Sequence, residues 1–128
     1  MTGATLLAVA LGGAFGAVGR YVLSTWLQGL LGSGFPWGTL GVNLSGSFAM
    51  GLLFAASQHG ELPPEFQALL AFGLLGSFTT FSTFSLETFV LLQEGSWGRA
   101  LTYSAGSLLI GLAAVAAGAA LAGGVRRA

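Results

Sequence analysis

From Trp37 to Ser57 the chain carries no charged side chain, and three further stretches are almost as bare. About 20 mostly apolar residues suffice to cross roughly 30 Å of hydrocarbon as an α-helix. Four windows of that size can be drawn, over about residues 5–27, 37–57, 66–92 and 97–121, with Arg20 in the first and Glu87 in the third. Gly32 to Pro36 reads as a turn by its Gly, Ser and Pro content. Residues 59–65 (His-Gly-Glu-Leu-Pro-Pro-Glu) form the most polar piece, and Pro63 and Pro64 suit a first helical turn, which does not use their missing N–H groups. Only 6% of the residues are charged, against about 25% in an ordinary soluble domain. So few charges cannot cover a water-facing surface, and a nucleic-acid binder would need a clustered basic face. The expected fold is an all-α membrane protein, one unit over residues 1–128 with four transmembrane helices. The first window is too long for a signal peptide, lacks a basic leader and holds Arg20 near its far end. With no Cys, one His and no Asp, disulfides, thiolate metal sites and most catalytic triads lack their parts.

An even number of spans puts both termini and the 59–65 loop on one side. Arg126 and Arg127 lie there, and Arg99 and Arg20 are counted on the other, so the positive-inside rule gives no preferred orientation. Either a partner sets the topology, or the chain inserts both ways and pairs head to tail with itself, or four arginines are too few to decide.

Small residues crowd three windows: Gly12, Gly13, Gly16 and Gly19; Gly38, Gly41, Ser45, Gly46, Ser47 and Gly51; Ser104, Gly106, Ser107, Gly111, Ala114 and Gly118. Helices in lipid associate by close packing of such residues, within the chain and between chains. Polar residues in the spans must face protein or water. Arg20 either snorkels to the interface or is held inside. Asn43 cannot snorkel, so its amide bonds between helices or donates to a solute. Gly76-Ser77-Phe78-Thr79-Thr80-Phe81-Ser82-Thr83-Phe84-Ser85 concentrates hydroxyls and Phe in the third window. Either its hydroxyls bond back to carbonyls one turn earlier in a continuous helix, or the helix breaks near its middle. Irregular backbone at that depth survives only when buried or lining a cavity, and the carbonyls freed there are hard ligands for a cation. Phe81 and Phe84 share a helix face, and their positive ring edges can meet an anion or simply pack. Tyr103 and Ser107 stack hydroxyls one turn apart on the fourth window. A row of hydroxyl donors beside Asn43 suits a small, strongly hydrated anion.

Three motifs occur in order: Gly13-Ala14-Phe15-Gly16-Ala17-Val18-Gly19-Arg20-Tyr21, then Gly38-Thr39-Leu40-Gly41-Val42-Asn43-Leu44-Ser45-Gly46-Ser47-Phe48, then the Gly76–Ser85 run. Together they resemble the Fluc (CrcB-type) fluoride channel family. The resemblance implies a passive fluoride-selective channel in the prokaryotic plasma (inner) membrane. It implies a dual-topology antiparallel homodimer with two pores and a structural sodium ion (Na+) at the dimer centre. By position, the backbone carbonyls of Gly76 and Thr79 would hold that sodium. Asn43, Phe81, Phe84, Tyr103 and Ser107 would form the fluoride pore. Arg20 would fall near a pore entrance or at a packing contact, and Glu87 beyond the Phe pair. The partners implied are fluoride, a second copy of the chain and membrane lipid, with no nucleic acid and no catalytic residues. At Gly111 the chain departs from relatives that carry another hydroxyl.

Two other classes fit the composition. A small dual-topology multidrug or cation exporter needs an acidic residue in the first span, where this chain has only Arg20. A non-conducting membrane scaffold subunit would leave the hydroxyl-rich run and Asn43 without a purpose.

Overall fold

The computed structural model describes residues 1–60 and 62–123. All regular structure among them is helical: α1 (Gly3–Leu31), α2 (Trp37–Gln58), α3 (Pro64–Gln67), a π-helical segment (Ala68–Leu75), α4 (Gly76–Phe78), α5 (Phe81–Gln93) and α6 (Trp97–Leu121). The pieces from Pro64 to Gln93 form one span, so four helices are long and apolar enough to cross a membrane. The chain is an integral membrane protein. Arg126 and Arg127 lie outside the described residues.

The helix ends follow their local chemistry. Thr2 and Thr5 close a capping box at the start of α1, with Thr5 N–H reaching Thr2 Oγ1 at 3.2 Å and Thr2 N–H reaching Thr5 Oγ1 at 3.0 Å. Pro63 and Pro64 open α3 as expected. Gly95, at φ 76°, ends α5: its N–H bonds Leu92 O and that of Ser96 bonds Leu91 O. This paired arrangement requires a left-handed residue and favours glycine. The turn between α1 and α2 is tied from inside by Gln28. Its Nε2 donates to the carbonyls of Gly32 and Phe35, and its Oε1 accepts from Gly38 N–H at 3.1 Å.

The first and third spans overrun their expected windows, and the π-helical segment was not expected. It lies against the bare backbone of α1. A Cβ on Gly12 would run into Leu69 O and stand 2.8 Å from Leu74 N, and one on Gly16 would meet Leu74 O. Gly73 answers from the other side, where an added Cβ would stand 2.9 Å from Val9 O and 3.0 Å from Gly12 Cα. Likewise Gly51 fits against Val115 O and Gly118 against Phe48 O, locking α2 to α6. Gly12, Gly16, Gly51, Gly73 and Gly118 are therefore consumed within one chain. Large apolar side chains instead point outward, among them Phe15, Trp26, Phe72 and Leu101, as hydrocarbon surroundings allow.

The extension of α1 to Leu31 puts roughly 16 Å of helix beyond Arg20, so it stands farther from the end of its span than the expected window placed it.

Backbone contact at Gly16 makes a clear prediction. Gly16→Leu should lower thermal stability in detergent by about 2 kcal/mol or more, because the colliding atom is a carbonyl and cannot rotate aside. Gly29, where an added Cβ meets nothing within 4 Å, should behave oppositely. Gly29→Ala should raise stability by about 0.5–1 kcal/mol through helix propensity. Circular-dichroism melts of the two variants check both signs.

Candidate functional site

The third span breaks at its middle. Thr79 (φ −92°, ψ 160°) and Thr80 (φ −150°, ψ 120°) are extended between α4 and α5. Asn43 on α2 pairs with the break through both ends of its amide. Its Nδ2 donates to Thr80 O at 3.0 Å, and its Oδ1 accepts from Thr80 N–H at 2.8 Å. In a continuous helix that N–H would bond Gly76 O. Thr80 caps α5 by accepting Thr83 N–H on its own Oγ1 at 3.2 Å, a donor that a continuous helix would direct to Thr79 O. The Gly76 and Thr79 carbonyls thus lose their helical donors. Some hydroxyls of the run do bond back one turn, Thr79 to Leu75 O at 3.0 Å and Ser85 to Phe81 O at 2.9 Å. The expectation of a break is met and that of a continuous helix is not, because the Asn43 amide takes over the Thr80 backbone groups that a continuous helix would have satisfied.

Arg20 does not snorkel. Its Nε donates to Ser77 O at 3.0 Å, which places a positive charge at the carbonyl end of the broken half-helix, where the helix dipole is negative. Arg20 lines none of the three cavities described below.

A cavity of about 370 Å³ opens beside the break. Asn43 and Ser47 of α2, Thr80 at the break, Phe81 and Phe84 of α5, and Ser107 of α6 line it. The Phe81 and Phe84 rings stand 5.8 Å apart, and Phe84 lies 5.1 Å from the Tyr103 ring. Tyr103 is fully buried, and neither its hydroxyl nor that of Ser107 has a hydrogen-bond partner among the described residues. Leaving a buried hydroxyl unpaired costs about 1–3 kcal/mol. Two such groups one turn apart on α6 point to an acceptor supplied from outside the chain.

Glu87 lies elsewhere, in a second cavity of about 480 Å³ with Glu94 and Arg99. It accepts a hydrogen bond from Thr39 Oγ1 at 2.5 Å. The structure therefore gathers Asn43, Phe81, Phe84 and Ser107 around one cavity, connects Tyr103 to them through Phe84, and sets Glu87 apart. Sequence reasoning missed Thr39 and Ser47 as site residues. Their signal was available, because Thr39, Asn43 and Ser47 recur every fourth residue along one face of α2. Ser47 also bears on the missing hydroxyl at Gly111: a Cβ there would lie 3.9 Å from Ser47 Oγ, so α2 supplies a hydroxyl at that level. Among the described residues no group of three His, Cys, Asp or Glu could hold a metal ion.

A family model described as "CrcB-like protein, Camphor Resistance (CrcB)" matches residues 7–119. The chain is 58% identical over 41 residues to a protein of Hahella chejuensis named "Fluoride-specific ion channel FluC", covering 32% of each chain. It is 62% identical over 40 residues to the protein of that name from Thermus thermophilus, covering 31% of this chain and 32% of the relative. Against the one from Magnetococcus marinus it is 68% identical over 38 residues, covering 30% of this chain and 31% of the relative. In each case the aligned stretch spans less than a third of the relative's length. With the family model matched across all four spans, the chain belongs to the CrcB-like family.

Proposed function

We propose that the protein is a passive, fluoride-selective channel of a prokaryotic inner membrane that lets toxic cytoplasmic fluoride leave down its electrochemical gradient. The observation that carries this reading is the cavity at the helix break, where neutral donors and aromatic edges converge and the buried Ser107 hydroxyl goes unpaired. The names of the relatives support the choice of ion.

Fluoride holds its water strongly, so a pore must replace those hydrogen bonds without binding the ion too tightly. The amide of Asn43 has two N–H donors, and one is committed to Thr80 O. The other, with the hydroxyls of Ser107, Ser47 and Tyr103, supplies neutral donors along the path. Phe81 and Phe84 add positive ring edges. Chloride is larger and meets the same donors in poorer geometry. Uncharged HF crosses membranes from acidic surroundings and dissociates inside, and the negative interior potential then drives the anion out. Such a flow requires no catalytic group.

Phe81 lines the cavity yet is 79% exposed, so one wall of the path is open and fits completion by a second copy. An antiparallel homodimer embedded in lipid supplies that copy. A sodium ion at its centre suits the Gly76 and Thr79 carbonyls, which lack helical donors and meet a hard cation's preference for oxygen. Bound there, it would supply a fixed positive charge between two anion paths.

Reconstituted in liposomes, the protein should release fluoride and retain chloride, read by ion-selective electrodes. Chloride efflux at a comparable rate would overturn the proposal. Phe81→Ile and Phe84→Ile should each cut fluoride efflux by tenfold or more without changing the melting temperature by more than a few degrees.

Asn43→Asp tests the donor separately. The carboxylate still accepts from Thr80 N–H but can donate neither to Thr80 O nor to an anion, and it adds repulsion. The variant should remain folded by circular dichroism while fluoride efflux falls at least a hundredfold. Normal efflux through folded Asn43→Asp protein would remove Asn43 from the path.

A further inference from the structure

A third cavity lies on another side of α6 from the one at the break. It is a groove of about 640 Å³ whose α6 wall is made by Gly98, Arg99, Thr102, Tyr103, Gly106 and Ile110. Phe35, Trp37 and Leu40 form the facing wall. The α6 residues fall on successive turns of one stripe, so the groove follows the helix axis for roughly 18 Å. That length is close to one leaflet's share of the hydrocarbon core, about 15 Å. A Cβ on Gly98 or Gly106 would meet nothing within 4 Å. These glycines leave room open to the outside, unlike Gly51 and Gly118, which are filled by neighbouring backbone.

The two ends of the groove differ in chemistry. The deep end, at Gly106 and Ile110, is apolar. At the other end stands Arg99, which gives one N–H to Gly34 O at 3.2 Å. A guanidinium has five N–H donors, and this is its one hydrogen bond among the described residues. It sits in the first turn of α6, whose N-cap residue Ser96 makes no side-chain capping bond, leaving first-turn N–H groups and the positive end of the helix dipole beside it. Trp97, 69% exposed, and Trp37, 38% exposed, mark the same end, where tryptophans favour the headgroup layer.

We propose that this groove binds a phospholipid, with its phosphate on Arg99 and the start of α6 and one acyl chain along Gly98 to Ile110. Cation, tryptophans and apolar trough succeed one another in the order that headgroup, interface and chain do in a leaflet. An anionic headgroup gains most from the N–H donors that Arg99 does not spend on Gly34 O. The groove shares the Tyr103 side chain with the fluoride reading but neither the break nor the unpaired Ser107 hydroxyl, and lipid contact at Trp37 is read without any fluoride flux.

The test uses the full chain in detergent micelles with Trp26→Phe and Trp97→Phe, so that Trp37, on the groove wall, is the sole fluorophore. Phosphatidylglycerol carrying bromine on its acyl chains is titrated in. Saturable quenching of Trp37 is expected. Arg99→Gln should weaken the apparent affinity at least fivefold. Gly106→Leu, which fills the groove from a position free of contacts, should abolish the saturable component with an unchanged melting temperature. Quenching that rises linearly without saturation, or saturates equally in both variants, would overturn the site. So would loss of self-association in Gly106→Leu with lipid quenching retained, which would assign the groove to a second copy of the chain.

Discussion

The reciprocal pair between the Asn43 amide and the Thr80 backbone is the contact on which the rest of this molecule turns. An open stretch of main chain at mid-membrane is tolerable only if its polar groups are met by protein, because hydrocarbon offers no hydrogen bonds and each unmet group costs several kcal/mol. A side-chain amide presents one acceptor and one donor at nearly the spacing of a peptide. Asn43 therefore serves Thr80 as a neighbouring strand would. Its neighbours make room for this. Gly46, one turn below on α2, leaves space that the Thr79 methyl and Phe78 ring occupy. Gly12 and Gly16 let α1 lie against the π-helical segment, on the same helix that brings Arg20 to Ser77 O.

Polar groups around the break divide into two sets. Asn43, Thr80, Thr83 and Arg20 are spent on one another or on main chain, and they hold the shape. The hydroxyls of Tyr103 and Ser107 are spent on nothing among the described residues. In a low-dielectric interior an unpaired hydroxyl is a cost that folding alone does not explain. That the unspent groups share one helix, beside a ring pair and an amide with a hydrogen to spare, is what gives the site its character.

Much of this was readable in advance. The four spans follow from the length of the apolar windows, and the break from the crowding of Gly, Ser and Thr between Gly76 and Ser85. The π-helical turn was not readable, because Ala68 to Leu75 contains nothing to distinguish it from an ordinary helix. It lies where α1 offers bare backbone, a tertiary circumstance. The same holds for Arg20: its partner carbonyl lies 57 positions away, and a window ending near residue 27 made it look closer to the interface than it is. Thr39 and Ser47 were hidden differently. Single hydroxyls in a glycine-rich helix look like small packing residues until their four-residue spacing from Asn43 is noticed. Gln28, with its three bonds into one turn, carried no local signal at all.

The dependence of the break on α1 and α2 bears on biogenesis. Membrane helices insert individually and pack afterwards. Before packing, the third span has neither Asn43 nor Arg20 beside it, and its cheapest state in lipid is an unbroken helix with every carbonyl satisfied. The interruption arises only as the bundle closes around it. A third span that has inserted but not yet packed accordingly carries no interruption: the break belongs to the closed bundle and not to the isolated helix.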